Sequence, residues 1–386
     1  MGLKLVKESQ TVVFTPPEDY VAAGSMYPRV IELHHAHHPW HPPKDDAPVN
    51  GTLLASFEEY RPDTPVFPIY RSDDHGKNWY RYSEVPDLKN GWGNKFQPHL
   101  FEFPCRLGEF PAGTLMIAGN SIPKDHLSTE IVCYISRDHG RSWEYLSTVV
   151  SGGAAMVDGQ ELTLRPVWEP FLMLDKNGDL VCYYSDERFS GDGYNQLLAY
   201  QVSRDGGKTW GEAVRNVAIP GGIMRPGMPV IDRMGNGRYL MTYEIVGLPR
   251  FDLYFKTSDD GLDWGDPADF GKRCETADGR YLGSTPYCLW VPQGGPCGTL
   301  IASARRDGDY DRYRDPCHFI VNYSFGEGPW ELIDSGCDFD ARVPCAGYSQ
   351  GMCLSQESTR LVHLCPVQIS SRKTQIVCTV SRLETV

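Results

Sequence analysis

The sequence predicts an all-β chain folded as a single six-bladed β-propeller spanning residues 1–386, and two repeated patterns carry this prediction. A short motif, S/T-x-D-x-G-x-x-W, occurs four times, at 72–79, 136–143, 203–210 and 257–264, with roughly sixty residues between copies. Apolar runs also recur in pairs joined by glycine turns, six times along the chain. A repeat of about this length is typical of a supersecondary unit that buries its apolar face against its neighbours.

The four motif copies, known as Asp boxes, are predicted to be hairpin turns. Within each, the Asp carboxylate and the Ser or Thr hydroxyl can bond backbone N–H groups, the Gly suits a positive φ, and the Trp can fold back onto the turn. Four equivalent turns lie at four places around a ring, whereas one active site needs different residues in one place. The motif aspartates are therefore predicted to be architectural: Asp74, Asp138, Asp205 and Asp259.

Six opening strands and six second strands define the predicted blades. The opening strands are YPRVIEL, FQPHLFEF, WEPFLML, RPGMPVID, TPYCLWVP and GYSQGMCL. With four Asp boxes for six blades, the last two blades are predicted to lack the box. After the last second strand only TQIVCTVSRL, at 374–383, remains, so the final blade needs an outer strand. The β run TVVFTP, at 11–16, is predicted to supply it and close the ring.

Composition narrows the possible partners. The chain has 386 residues and a formal net charge of −13 without a basic block, which disfavours binding to nucleic acid or to anionic lipid. It has no apolar run long enough to cross a bilayer. The start lacks the apolar core of a secretory signal, so we expect a cytoplasmic protein, or a secreted one if a signal has been removed. A monomer is favoured.

Neither cysteines nor histidines indicate a metal site. Of the twelve cysteines, Cys133, Cys182 and Cys378 lie in β-like apolar runs, and those of the last third form no CxxC pair, although late disulfides stay possible. The run HHAHHPWHPP, at 34–43, lies in a loop, where adjacent histidines match no usual zinc arrangement. It is expected to be a surface loop or a pocket rim offering imidazole and Trp40 to a sugar. No metal and no cofactor are predicted.

Candidate site residues are those that interrupt the opening-strand pattern, since these strands line a propeller's channel. A polar group at the start of a buried strand is costly unless it is paired or functional. Near the strand starts the sequence has Arg29, Gln97, His99, Glu169, Arg225, Tyr287, Tyr348 and Gln350.

Two glutamates have the chemistry of a catalytic pair. Glu169 lies between Trp168 and Pro170, an apolar setting that raises a carboxyl pKa and favours a general acid. Glu244 ends the second strand of the next blade, after Tyr243. The equivalent end in blade three is predicted to hold Asp186 and Glu187, followed by Arg188. Both glutamates could also be structural, as a bonded strand residue and a solvated strand end.

Glycoside hydrolases usually have two catalytic carboxylates that face a sugar-sized pocket. A separation of about 5–5.5 Å would give retention of anomeric configuration, and one of about 6.5–9.5 Å would give inversion.

The chain resembles the sialidase-like superfamily of bacterial-neuraminidase-repeat propellers and, within it, glycoside hydrolase family 93. The resemblance rests on YPRVIEL, VWEPFLML, MRPGMPVI and YLMTYE, and extends from about Tyr27 to Tyr348. That family implies an exo-α-1,5-L-arabinanase that releases arabinobiose, is metal-independent and retains configuration. Its two catalytic glutamates map to Glu169, assigned as acid/base, and Glu244, assigned as nucleophile, though the roles could be exchanged. The candidate substrate-binding residues are Arg29, His99, Arg225, Tyr243, Tyr287 and Tyr348.

Three alternatives stay open at this point. An exo-sialidase would need an arginine triad, for which Arg29, Arg225 or Arg305 are available, and a tyrosine nucleophile such as Tyr348. The FRIP pattern of sialidases is absent, and YPRV resembles it only loosely. A lyase acting on uronic sugars would want a pair such as His99 with Tyr348. A propeller that only binds carbohydrate would have no reason to place Glu169 in an apolar inner strand.

Overall fold

A computed structural model of the protein describes residues 1–21, 23–35, 50–155, 165–249, 252–307 and 318–386. Throughout these ranges the regular secondary structure is β. The same residues include no helix long and apolar enough to cross a membrane.

The strands are short and follow one another closely along the chain. They are β1 (Leu3–Phe14), β2 (Ala23–Glu32), β3 (Leu53–Glu59), β4 (Phe67–Ser72), β5 (Tyr80–Val85), β6 (Asn94–Glu102), β7 (Leu115–Ser121), β8 (Thr129–Ser136), β9 (Glu144–Gly152), β10 (Val167–Leu174), β11 (Leu180–Asp186), β12 (Leu197–Ser203), β13 (Val214–Val217), β14 (Arg225–Arg233), β15 (Tyr239–Val246), β16 (Leu253–Ser258), β17 (Lys272–Arg273), β18 (Leu282–Gly283), β19 (Tyr287–Val291), β20 (Thr299–Ser303), β21 (Arg306–Asp307), β22 (His318–Asn322), β23 (Glu331–Asp334), β24 (Gly351–Leu354), β25 (Arg360–Gln368) and β26 (Lys373–Thr385).

Neighbouring strands pair antiparallel into four-stranded units. In the described residues, separate four-stranded sheets are formed by β6–β9, by β10–β13, by β14–β17 and by β19, β20, β22 and β23. An eight-stranded sheet holds the rest, apart from the short pair β18–β21. In it β2–β5 form one half and β24–β26 with β1 the other, and the halves meet through a two-residue parallel pairing of β2 with β26. We number these units one to six by the order of their first strands: β2, β6, β10, β14, β19 and β24.

The N-terminal strand lies where the sequence places an outer strand. β1 runs antiparallel to β26, from Leu3 opposite Thr385 to Phe14 opposite Ile376. It starts earlier than the predicted run at 11–16. Whether this pairing closes a ring of six blades stays a prediction.

The core lies between the units and along their inner strands. In β11, for example, every residue from Leu180 to Asp186 is buried, because this strand has neighbours on both faces and on both edges. The largest apolar cluster joins units three to six, with Tyr183, Tyr243, Phe319 and Trp330 among its fully buried rings. Strands buried on both faces read as nearly continuous apolar runs, which is why the sequence pattern located them well.

Three of the four predicted turns share one set of hydrogen bonds. In the first, Ser72 Oγ accepts the N–H of Gly76 at 2.9 Å, and Asp74 Oδ1 accepts the Ser72 hydroxyl at 2.9 Å and the N–H of Asn78 at 2.8 Å. The turns at 136–143 and 203–210 repeat these bonds. Their tryptophans also tie units together, since Trp210 Nε1 donates to Ser147 Oγ of the preceding unit at 3.0 Å.

The fourth turn corrects the prediction for Asp259. Here Ser258 donates to Asp260 at 2.9 Å, and Asp260 Oδ1 accepts the N–H groups of Leu262 and Asp263, both at 2.8 Å. Asp259 is exposed and pairs with Arg238 at 2.6 Å. The turn is one residue shorter than the other three, so the aligned aspartate in the motif is the wrong one.

Unit five, one of the two units predicted to lack the box, has a related turn at the corresponding place. Asn322 Oδ1 accepts the N–H groups of Ser324 and Gly326, both at 2.8 Å. One amide oxygen therefore accepts turn N–H groups of the kind that the Ser and Asp side chains accept in the other turns. Trp330, which is 2% exposed, packs on Phe255 of unit four as the other tryptophans pack on their neighbours.

Within the described residues, the six first strands surround one cavity of about 730 Å³. Each contributes side chains to its wall, among them Glu32, Phe101, Leu174, Asp232, Leu289 and Leu354. This cavity is open at the end of the first strands that lies away from Glu169. We call that the far end, and the opposite end the near end.

Candidate active site

A left-handed residue near the start of each first strand shapes the near end. In the described residues six first strands carry one, with φ between 52° and 63°. Five of these residues precede a proline, and in four strands the register of pairing slips at this point, as expected for a β-bulge. Positive φ outside glycine is uncommon and costs about 1–3 kcal/mol. The residues are Tyr27, Gln97, Glu169, Met228, Thr285 and Ser349.

The bulge turns backbone N–H groups towards the neighbouring unit, where side chains accept them. Glutamate and glutamine side chains serve as acceptors, so polar residues of the near end also hold adjacent units together. The bonds run from Gln97 N to Glu58 Oε1 (2.9 Å), from Glu169 N to Gln97 Oε1 (2.9 Å), from Met228 N to Glu169 Oε2 (2.8 Å) and from Thr285 N to Glu244 Oε2 (2.7 Å).

Glu169 is a half-buried carboxyl held by hydrogen bonds on one oxygen. Its Oε2 accepts the Ser185 hydroxyl at 2.6 Å and the Met228 N–H. Burial raises the pKa of Glu169 to about 7, with the Ser185 bond opposing and the charge of Glu244 adding to the rise. A carboxyl with this pKa can carry a proton at neutral pH and give it up, as a general acid must.

Glu244 reaches the same place from the second strand of unit four. It lies opposite Gly227, the residue before the left-handed Met228, so its side chain projects into the near end. In unit three, Ser185 has the equivalent register, opposite Trp168 and next to the left-handed Glu169. The sequence prediction that Asp186 and Glu187 hold this position is therefore wrong, because strand pairing places Ser185 there.

Glu58 is a third carboxyl at the near end, and sequence reasoning missed it. It faces Met26, the residue before the left-handed Tyr27, in the same register as Glu244. Its Oε2 accepts the Tyr60 hydroxyl at 2.9 Å. Burial, opposed by the hydrogen bonds of Gln97 N–H and of Tyr60, raises the pKa of Glu58 to about 8. Aligning YLMTYE with LLASFEE by strand register would have found it.

Arg29 supplies a buried positive charge that acts on Glu58. Its guanidinium donates to Ser349 Oγ at 2.9 Å and lies 4.1 Å from the Tyr27 ring centre and 5.0 Å from that of Tyr287. Stacking between two rings is worth about 0.5–2 kcal/mol and fixes the plane of the cation. The charge of Arg29 lowers the pKa of Glu58 and so offsets part of the cost of three neighbouring carboxyls.

Tyr348 lies among the three carboxyls. Its ring is 6.5 Å from that of Tyr27. Burial, followed by the negative charges of Glu169, Glu244 and Glu58, raises the pKa of Tyr348 well above its ordinary value. The phenol therefore stays protonated and can donate a hydrogen bond to a carboxylate or a sugar oxygen.

Arg225 forms the side of the site next to Glu169. Its guanidinium bonds both carboxylate oxygens of Glu187, at 2.8 and 3.1 Å, and also Asn195 and Gln196. Glu187 accepts the indole N–H of Trp168 at 3.0 Å, which fixes the ring next to Glu169. Arg225 thus acts through Glu187 on the position of Trp168.

Comparison with known proteins then identifies the family. No family model matches the chain and no curated protein matches it, so the comparison rests on solved structures. An α-L-arabinanase of Penicillium chrysogenum, solved with arabinobiose, is 34% identical, with a TM-score of 0.79 over 98% of both chains. The GH93 α-L-arabinofuranosidase of Fusarium graminearum, also solved with arabinobiose, is 30% identical, with a TM-score of 0.80 over 97% of this chain and 98% of that one. The chain belongs to glycoside hydrolase family 93.

Sialidases share the fold with this family 93 protein at a greater distance. A sialidase of Streptococcus pneumoniae is 12% identical, with a TM-score of 0.55 over 96% of this chain and 70% of that one. The arginines considered for a sialidase triad have separate partners here. Arg225 bonds Glu187, Arg29 bonds Ser349, and Arg305 bonds the carbonyl groups of Ala341, Val343 and Ala346.

Two predicted binding residues of the family 93 protein lie apart from the carboxyls. Tyr243 is fully buried on the opposite face of β15 from Glu244, and its hydroxyl donates to the Phe270 carbonyl at 2.7 Å. His99 packs on Phe171 with ring centres 4.3 Å apart, and its Nδ1 accepts the Leu172 N–H at 3.3 Å. Burial lowers the pKa of His99 well below its ordinary value, so this imidazole is neutral.

The remaining candidates have structural contacts. Gln350 donates to the Ala304 carbonyl at 2.9 Å and contacts His363, while Asp186 pairs with Arg188 at 2.7 Å. In the described part of the chain no group of three or more His, Cys, Asp or Glu side chains is placed to hold a metal ion. His34 and His35 are described, and their backbone N–H groups donate to the Glu102 carboxylate. His37, His38, Trp40 and His41 lie outside the described residues.

Proposed function

We propose that this protein is an exo-acting, retaining arabinan hydrolase that cleaves α-1,5-linked L-arabinan or arabino-oligosaccharides and releases arabinobiose. The observation that carries the proposal is the convergence of Glu169 and Glu244, from adjacent units, at one end of the first strands. The two family members solved with arabinobiose support the substrate class.

We also propose that the six units form a closed six-bladed propeller. The six left-handed residues and the six first strands around one cavity, all within the described residues, support the blade count. The pairing of β1 with β26 supports closure, because it gives the last unit an outer strand from the other terminus. A ring of this kind brings Glu58, Glu169 and Glu244 to one opening.

Glu169 is assigned as the acid/base and Glu244 as the nucleophile. In the first step the Glu244 carboxylate attacks the anomeric carbon while the Glu169 carboxyl gives its proton to the glycosidic oxygen, so the remaining chain leaves as an alcohol. The Ser185 and Met228 bonds occupy Oε2 of Glu169, and we therefore assign the proton to Oε1. In the second step Glu169 takes a proton from water, the water oxygen attacks the same carbon, and Glu244 is released.

Two displacements at one carbon give net retention, which is testable directly. Proton NMR of the first product formed from arabinotriose should show arabinobiose with the anomeric configuration of the substrate. An inverted first product would contradict the double displacement and leave the hydrolase assignment standing.

The substrate class is tested on a panel of linear arabinan, an aryl sialoside and a uronate oligosaccharide of the kind that lyases cleave by elimination. Release of arabinobiose from arabinan alone, lost in Glu169→Ala and in Glu244→Ala, supports the proposal. Sialic acid release that survives in Glu169→Ala would favour the sialidase alternative, and an unsaturated product from the uronate would favour a lyase.

The roles of the two glutamates are separated by azide rescue with an activated aryl arabinobioside. An acid/base variant accumulates a glycosyl-enzyme that azide attacks, and this gives an azide product of retained configuration. A nucleophile variant lets azide attack the substrate directly and gives the inverted azide. We expect retained azide from Glu169→Ala and inverted azide from Glu244→Ala, and the opposite result would exchange the two assignments.

A further inference from the structure

A groove lies beside the near end, between unit one and unit two. It is formed by the segment after β3, the start of β6 and the segment after β7, and has a volume of about 830 Å³. Its wall includes the partly exposed rings of Tyr60, Trp92 and Phe96, together with Pro65 and Pro123. Ligand sites usually measure about 300–1,000 Å³ and combine apolar and aromatic walls with a few polar groups.

Two sets of contacts connect the groove with Glu169. The rings of Tyr60 and Phe96 are 6.1 Å apart, and those of Phe96 and Trp168 are 6.3 Å apart, so aromatic rings lead from the groove to the residue before Glu169. The second set consists of hydrogen bonds, from the Tyr60 hydroxyl to Glu58 and from the Gln97 and Glu169 backbone to the acceptors already described. Residues of the groove therefore contact residues of the site directly.

The charges in the groove favour a neutral ligand. Arg61 bonds both oxygens of Asp63 at 2.7 Å, and Glu59 is bonded by Arg81 at 2.9 Å. Lys95 Nζ lies 2.6 Å from His126 Nε2 and 5.0 Å from the centre of the Phe96 ring, and burial lowers its pKa. Most of the charged groups thus have partners within the protein. The remaining wall is largely aromatic and apolar, which suits a ligand with hydroxyl groups and apolar C–H faces.

We propose that this groove binds the leaving-group side of the substrate, as a short run of neutral pentose units beyond the bond that is cleaved. The inference rests on the proposed function, since an exo-acting enzyme holds the end of the chain and must let the remainder pass out of the site. Sugar rings stack their C–H faces on Tyr60, Trp92 and Phe96. Trp92 is the residue to test, because it lines the groove and its ring is partly exposed.

The test compares kcat/KM on linear arabinohexaose with kcat/KM on an aryl arabinobioside, which has no sugar in the groove. For Trp92→Ala we expect the ratio of the two values to fall about tenfold, which corresponds to about 1.4 kcal/mol of lost binding. Trp92→Phe should recover part of the ratio. Tyr80→Ala, which removes a 46% exposed ring on the outer strand of unit one, should leave the ratio at its original value.

The outcomes separate this inference from the function on which it rests. A ratio unchanged in Trp92→Ala, with both substrates cleaved, would contradict substrate binding in the groove and would leave the proposed hydrolase activity unaffected. Failure of the original protein to cleave either substrate would overturn both. Thermal melting of Trp92→Ala checks folding, and calorimetric titration of Glu244→Gln with arabinohexaose, with and without Trp92→Ala, gives the same comparison without catalysis: tenfold weaker binding supports the groove and equal binding contradicts it.

Discussion

The two ends of the first strands both carry acidic side chains that bond the neighbouring unit, yet we propose the near end alone as the reaction site. At the far end Glu32 accepts the Gln356 N–H at 2.6 Å, and Asp232 accepts the Trp290 N–H at 2.5 Å. At the near end Glu58 and Glu244 accept N–H groups of the next unit in the same way. A buried acid that ties two units together is therefore an ordinary feature of this fold.

The two ends differ in whether their carboxyls affect one another's pKa. At the near end the charge of Glu244 raises the pKa of Glu169, and the charge of Glu169 raises that of Glu58. At the far end burial raises the pKa of Asp232 to about 6, against backbone bonds from Trp290 and Arg233, and no other described acid contributes to this rise. Mutual influence among carboxyls, more than burial of any single one, distinguishes a site that can move protons from a structural tie.

The largest expected effect separates the two ends by activity. Glu169→Gln keeps a hydrogen-bond acceptor for Met228 but removes the proton that the leaving oxygen needs. We expect kcat on arabinan to fall about 10²–10⁴-fold, and at least as far in Glu244→Gln. Asp232→Asn, the matched change at the far end, should keep kcat within about twofold of the original. A comparable loss in Asp232→Asn would mean that activity depends on the unit ties in general.

The second prediction concerns the pH dependence of kcat/KM. A general acid must be protonated in the free enzyme, so activity falls as pH rises through the pKa of Glu169, which is about 7. Above that pH we expect about a tenfold loss per pH unit on arabinan, where protonation of the leaving group is needed. With an aryl arabinobioside that has a good leaving group, kcat/KM should not fall above this pH. An equal fall in kcat/KM on both substrates would point to a group other than Glu169.

How far the sequence predicts these features depends on whether they are local. Continuous apolar runs located the inner strands, and the proline after Glu169 marks a bulge that recurs at Tyr27, Gln97 and Met228. Glu58 was missed because it becomes a site residue only through its pairing opposite Met26. The spacing of residues within one segment does not reveal which residues of another strand they pair with.

Residues that alternate along a strand show the same limit. Tyr243 was included because it precedes Glu244, but successive side chains in a strand point to opposite faces, and it packs on Tyr254 instead. Asp259 was predicted to bond the turn because the aligned motif does not show that this turn is one residue shorter, which gives the role to Asp260. In both cases an offset of one residue decided the role.

The third prediction uses stability to test the near end. The folded-state pKa of Glu58, about 8, lies above its ordinary value of 4.5, so the folded protein holds this proton while the unfolded chain has released it. Stability from this group is fully present below pH 4.5 and is lost as pH rises to about 8. Glu58→Gln removes that loss.

Between pH 5 and pH 9 the free energy of unfolding of Glu58→Gln should therefore rise relative to the original protein, by at most about 5 kcal/mol at about 1.4 kcal/mol per pH unit of displaced titration. Urea denaturation at both pH values measures it. A difference that does not change with pH would show that Glu58 is ionised throughout this range and that the near end holds a full negative charge there.

The smallest expected effect repeats this measurement at the far end with Asp232→Asn. The pKa of Asp232 moves only from 3.8 to about 6, so its stability contribution is lost over a narrower and more acidic window than that of Glu58. Stability of Asp232→Asn relative to the original protein should rise between pH 4 and pH 6 and stay level from pH 7 to pH 9, where Glu58→Gln still gains. A gain for Asp232→Asn that continued to pH 9 would indicate that the far end also gathers interacting acids, and the contrast between the ends would then rest on catalysis alone.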